Sequence, residues 1–100
     1  MIYGHLIRPP AEADIAKAAL WYERKQTGLG EEFLQETDRL ILLVLEYPIA
    51  FPVIHQRCEV RRALAKRFPY RLYFSVEGNQ IIIHAVLHFK RSEKTLKRRL

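Results

Sequence analysis

Apolar positions along this chain follow changing periods, and each change marks an element. From Ile2 to Ile7 both parities are apolar-rich: Ile2, Gly4 and Leu6 on one side, Tyr3, His5 and Ile7 on the other. That predicts a short, well-buried strand. Pro9-Pro10 ends it and suits the first turn of a helix. Ala11, Ile15, Ala18, Ala19 and Tyr22 then recur at helical spacing. Glu12 and Asp14 stand at the helix start and Arg24 and Lys25 at its end, as the helix dipole favours. The small alanines allow another element to approach closely.

Gly28-Leu29-Gly30 breaks this pattern, and a second helix is predicted over Glu31–Tyr47. Phe33, Thr37, Leu40, Val44 and Tyr47 form one apolar stripe, and Leu34, Ile41 and Leu45 a second. Two stripes exceed what one packed sheet requires. Either the helix is deeply buried against the first one, or the second stripe meets a partner. Pro48 stops the helix, and Ile49 to Pro52 reads as a turn or loop. Beyond it the period becomes two. Glu59 to Arg67 alternates loosely. Tyr70, Leu72, Phe74 and Val76 alternate cleanly with Arg71, Tyr73 and Ser75. Glu77-Gly78-Asn79 signals a hairpin turn, and Gln80 to His88 is a further strand. Ser92 can cap a short last helix bearing Leu96 and Leu100. The fold class is α+β: an N-terminal strand, a helical hairpin, a three-stranded antiparallel meander and a short C-terminal helix. Residues 1–100 form a single domain, without repeat or linker.

Composition agrees with a folded domain: 49% of residues are hydrophobic and 28% charged. The longest apolar run, Leu40 to Leu45, is far short of the roughly 20 residues that cross a bilayer. The first residues reach proline and acid before an apolar signal core could form, so no cleaved secretion signal is expected. Cys58 is the single cysteine, which excludes an internal disulfide or cysteine metal cluster and suits a reducing cytoplasm. It is expected to be a small buried residue. His5 and His84 are expected to be strand residues without chemistry, and no cofactor is implied.

Charge changes the picture more. Net charge is +6, but residues 1–50 carry 5 Lys/Arg against 8 Asp/Glu, and residues 51–100 carry 12 against 3. A strongly basic region must lie beside a mildly acidic one. Such a region attracts nucleic acid, an acidic protein or an acidic small ligand.

A series of residues in order carries a resemblance. Ala13-Asp14-Ile15 leads to Trp21-Tyr22-Glu23, Gly28-Leu29-Gly30 and Phe33-Leu34. Pro48, Phe51-Pro52 and Arg61-Arg62 follow, then Phe68-Pro69-Tyr70-Arg71. Ile81-Ile82-Ile83 runs to Ala85-Val86-Leu87-His88 and Arg91. Over residues 2 to 91 the chain resembles the RelE/ParE superfamily of bacterial toxins, most of all its ParE-like branch. The resemblance implies a helical hairpin on one face of a twisted, mainly antiparallel sheet. It also implies the toxin of a type II toxin–antitoxin pair, silenced by a small antitoxin protein. ParE-like members poison DNA gyrase; RelE-like members cut messenger RNA on the ribosome.

Cleavage by the 2′-hydroxyl needs a proton acceptor, a proton donor and a cation for the phosphorane. If Leu72 and Phe74 face the helices, Arg71 and Tyr73 point to the opposite, open face. His84 and His88 share a parity that could join them. Arg71 lies where ribonuclease members carry a phosphate-stabilising arginine; His88 is the nearest proton carrier and Glu59 a distant one. The ribonucleases commonly carry a Tyr or His near the C-terminus, or a set of lysines on the open face; after His88 this chain has no Tyr and no further His. Two structural readings stand beside these roles: Arg71 pairing with Glu59 or Glu77, and His88 hydrogen-bonding the start of the last helix. The expected function is therefore that of a ParE-like toxin acting by protein–protein interaction. The alternatives are a RelE-like ribonuclease and a relative without toxicity. The expected partner-binding residues are Leu34, Ile41 and Leu45, together with the cations Lys90, Arg91, Lys94, Lys97 and Arg98. With only Leu96 and Leu100 able to reach the core, loss of residues 92–100 is expected to leave the fold intact.

Overall fold

The computed structural model describes residues 3–91 and 93–100. Strand β1 (Gly4–Ile7) is followed by helices α1 (Pro9–Lys25) and α2 (Leu29–Glu46) and a 3-10 turn at Pro48–Ala50. Strands β2 (Val53–His55), β3 (Val60–Leu64), β4 (Tyr70–Glu77) and β5 (Gln80–His88) precede helix α3 (Glu93–Arg99). The sheet order is β1-β5-β4-β3-β2, with β1 parallel to β5 and the other pairs antiparallel. The expected α+β order holds. β2 is an addition: three residues are too few to show a period, and they form a strand because β3 offers them an edge. The expected cap at Ser92 lies outside the described residues.

Sequence signals explain the hairpin. Pro9 and Pro10 open α1, and Arg24 and Lys25 lie in its last turn. Gly28 adopts a left-handed φ of +89°, which favours glycine. No side chain of its own caps α2. Glu23, at the end of α1, does so: its carboxylate accepts the N–H groups of Gly28 at 3.0 Å and Gly30 at 3.1 Å. A Cβ on Gly30 would lie 2.5 Å from the Ala19 carbonyl oxygen, so the helices cross too tightly there for any side chain.

The hairpin covers one face of the sheet. Tyr22, Phe33, Phe68 and Tyr70 form an aromatic knot, with Phe33 centroids 5.4, 5.3 and 5.1 Å from Tyr22, Phe68 and Tyr70. Leu72, Phe74, Ile81, Ile83 and Val86 rise from the sheet to meet it. Ile41 and Leu45 belong to this core, 6% and 5% exposed, whereas Leu34 is exposed. The expectation that Leu34, Ile41 and Leu45 form one partner-facing stripe is corrected for the last two. A helix packed against both a second helix and a sheet buries a wide arc. Tyr47, expected on the first stripe, is exposed instead. Thr37 is buried because its hydroxyl donates to the Phe33 carbonyl at 2.9 Å.

The opposite face is not open. Leu96 of α3 packs there on Val60, Tyr73, Ala85 and Leu87. Tyr73 is buried, contrary to its expected place on an exposed surface. Cys58 is also corrected: it is exposed, in the tight turn between β2 and β3 where Glu59 has φ +50°.

A β-bulge divides β5. Tyr73 pairs with Ala85 but Phe74 pairs with Ile83, leaving His84 as the extra residue. Side-chain parity therefore slips at His84. Ile81, Ile83 and Val86 face the hairpin, whereas Ala85 and Leu87 face α3. β1 covers the edge of β5 only as far as Ile83. Beyond it, side chains close the edge. The Val86 N–H donates to Asp14 at 3.0 Å, and Arg99 donates to the His84 carbonyl at 3.3 Å. Arg99 also grips Asp14 with two bonds of 2.6 and 2.9 Å. Helix α3 is thus anchored by Leu96 and by this pair, so its leucines are not its sole hold on the fold, contrary to the expectation.

Candidate functional site

The bulge decides where the chemistry-bearing side chains go. His84 stays on the α3 side, buried, with Nε2 2.8 Å from the Ser75 hydroxyl. Burial, then the charge of Arg8, holds its imidazole below the ordinary 6.5, with Glu77 opposing. Its Nδ1 is buried without a hydrogen-bond partner among the described residues. His88 turns to the hairpin side, its ring edge-on to Tyr70 at 5.3 Å and stacked on Phe89 at 4.8 Å. Its Nδ1 accepts the Lys90 N–H at 3.1 Å and its carbonyl accepts the Arg91 N–H at 2.8 Å. His88 therefore organises the turn that leads to α3.

The expected grouping of Arg71, His84, His88 and Glu59 does not form. Arg71 pairs in the ladder with Leu64 and Leu87, on the same side of β4 as Tyr73, beside a shallow hollow at the sheet end next to Phe89. Glu59 precedes β3 at the far end of the ladder, about five residues or ~17 Å along the strand direction. Neither Glu59 nor Glu77 forms an ion pair with Arg71 among the described residues. No group of three metal-ligating side chains occurs among the described residues.

The structure instead brings together residues the sequence left apart. A cleft of about 420 Å³ lies between α1 and the C-terminal end of β5. Asp14, Lys17, Ala18 and Trp21 line one wall, spaced three, four and seven residues apart on one helix face. Tyr70, His88 and Arg91 line the other. The helical spacing was a legible signal; its facing wall, some fifty to seventy residues on, was not. Burial raises the Tyr70 hydroxyl above its ordinary pKa; Arg91 opposes the shift and Asp14 adds to it.

A second groove, about 340 Å³, runs between α2 and β3. Leu40, Leu43, Phe51, Pro52 and Leu64 form its apolar surface and Arg39, Arg62 and Lys66 its rim. Arg39 is held by Glu36, whose carboxylate also accepts the Lys66 N–H at 2.9 Å. Hydrogen bonding to Arg39 is the largest cause that draws the Glu36 carboxyl from 4.5 down to about 2. The Nε of Arg62 is buried without a partner among the described residues. Beside this groove β2 is too short to cover the end of β3, where the ladder pairing reaches only Arg61 and Val60.

The cations of the C-terminal stretch divide. Arg99 is taken up by Asp14. Lys90, Arg91, Lys94, Lys97 and Arg98 are exposed and join no ion pair among the described residues. Among the described residues no helix is long and apolar enough to cross a membrane.

A comparison with curated proteins gives no match. A family model described as the ParE toxin of the type II toxin–antitoxin system parDE matches residues 6–93. That span takes in the hairpin, strands β2 to β5 and the start of α3, so the chain belongs to the ParE toxin family of type II toxin–antitoxin systems.

Proposed function

We propose that this toxin acts in the cytoplasm by binding DNA gyrase, without catalysis, and that a cognate antitoxin silences it by direct contact. The observation that carries the reading is the exposed set Lys90, Arg91, Lys94, Lys97 and Arg98 on and before α3, which joins no ion pair among the described residues. Such a face steers toward an acidic protein or a protein–DNA complex. The separation of Arg71, His88 and Glu59 adds support, because a general acid and base must reach one phosphodiester together.

The test is gyrase supercoiling at two ionic strengths. Full-length protein inhibits at micromolar concentration, and inhibition weakens as salt screens the cations. Charge reversal at Lys94, Lys97 and Arg98 together abolishes it while leaving Leu96 and Arg99 in place. No inhibition by the intact protein at micromolar concentration refutes the gyrase reading. Primer extension on programmed ribosomes checks the ribonuclease alternative. Discrete cuts lost in Arg71→Ala or His88→Ala would establish that alternative.

For the antitoxin, the groove between α2 and β3 is the favoured seat. Its apolar surface with a cationic rim suits an amphipathic segment bearing carboxylates, folding on contact. Hydrogen exchange of the co-purified complex should show added protection at Leu43 and Arg62 to Leu64. Unchanged exchange at these residues removes the groove from the interface.

A further inference from the structure

We propose that the cleft between α1 and the end of β5 binds a nucleoside phosphate, as a free nucleotide or as one unit of a single strand. Its size falls within the ~300–1,000 Å³ typical of small-molecule sites. Trp21, the sole tryptophan, is 53% exposed although the neighbouring Tyr22 is buried. Lys25 lies over its ring at 4.8 Å, Tyr22 meets it edge-on at 5.0 Å, and the indole lines one wall of the cleft. A half-exposed indole is a stacking surface for a base.

The opposite end supplies anion recognition. Asp14, the single carboxylate lining the cleft, is consumed by Arg99 and the Val86 N–H. Lys17 and Arg91 therefore set the sign of the mouth, and neither forms an ion pair among the described residues. Because Nδ1 of His88 accepts the Lys90 N–H, the neutral ring carries its proton on Nε2, a donor for a phosphate or ribose oxygen. A planar wall, two cations and a ring donor around one cleft match a base joined to a phosphate. A bare anion would leave the indole without a role, and an apolar ligand would leave both cations without one.

Trp21 is also the probe. Titration of the full chain with adenosine monophosphate should quench its fluorescence saturably, while inorganic phosphate should not. A single-stranded oligonucleotide binding at least tenfold tighter than the mononucleotide assigns the site to a strand. Equal affinity assigns it to the free nucleotide. Lys17→Glu should weaken binding at least tenfold, and Lys17→Gln by an intermediate factor. Arg57→Glu, in the turn between β2 and β3 at the opposite edge of the sheet, makes the same charge change away from the cleft and should weaken it less than twofold. Circular dichroism checks that each variant folds. The proposal is overturned if neither ligand quenches saturably, or if Arg57→Glu weakens binding as much as Lys17→Glu. Gyrase inhibition is read separately, so either result leaves that reading to its own test.

Discussion

The two faces of the sheet are built to different depths. On one, two long helices press an aromatic knot and a row of Leu, Ile and Val side chains into the strands. On the other, seven residues of α3 reach the sheet through Leu96 alone among buried side chains. The thick face holds the fold; the thin face carries the exposed cations. A basic helix cannot bury a wide stripe, because most of its positions are charged. It is kept in place by one leucine and by the Arg99–Asp14 pair at its end.

Breaking the thick face should have the largest effect. Phe74→Ala removes a fully buried ring and should cost about 3–5 kcal/mol, read as a lower urea midpoint for the whole chain. Next is the pair that joins the faces. Asp14→Asn leaves Arg99, 20% exposed, without its counter-charge and weakens the acceptor of the Val86 N–H. A loss of about 3 kcal/mol is expected by urea unfolding. A loss below ~1 kcal/mol would mean the β5 edge needs no closing.

Leu96→Ala should cost about 2–3 kcal/mol, but locally. Hydrogen exchange should then rise in α3 and at Ala85 and Leu87 while the hairpin stays protected. Global unfolding in step with Phe74→Ala would erase the distinction between the faces.

The smallest effect is a titration. His84 is buried neutral, with its folded pKa below 6.5, so the unfolded chain binds the extra proton first. Its contribution is complete above pH 6.5 and is lost as pH falls below it. Ser75, Glu77 and Arg8 set this balance. Thermal melts from pH 7.5 to 5.5 should fall in Tm, and His84→Gln should flatten that slope by the His84 share. An unchanged slope would assign the acid sensitivity elsewhere. Glu36 acts lower, losing its contribution only from pH 4.5 down to about 2.

Local signals in the sequence determined the elements. Pro9 and Pro10 start α1, Gly28 permits a left-handed turn, and the alternation from Tyr70 to Val76 sets one face of β4 toward the hairpin. These rest on backbone sterics and on side-chain periods over a few residues, which no distant contact must supply. Tertiary structure decided the rest. A single extra residue at His84 reversed the parity of β5, sending His88 to the hairpin and separating it from Arg71. Burial of Ile41 and Leu45 depended on α1 and the sheet both flanking α2. The Asp14–Arg99 pair spans 85 residues, and the cleft of Trp21, Tyr70 and Arg91 nearly as many. A period describes which way a residue points only while its strand or helix stays regular. Which residues then meet depends on how layers stack, and that is settled by contacts far apart in sequence.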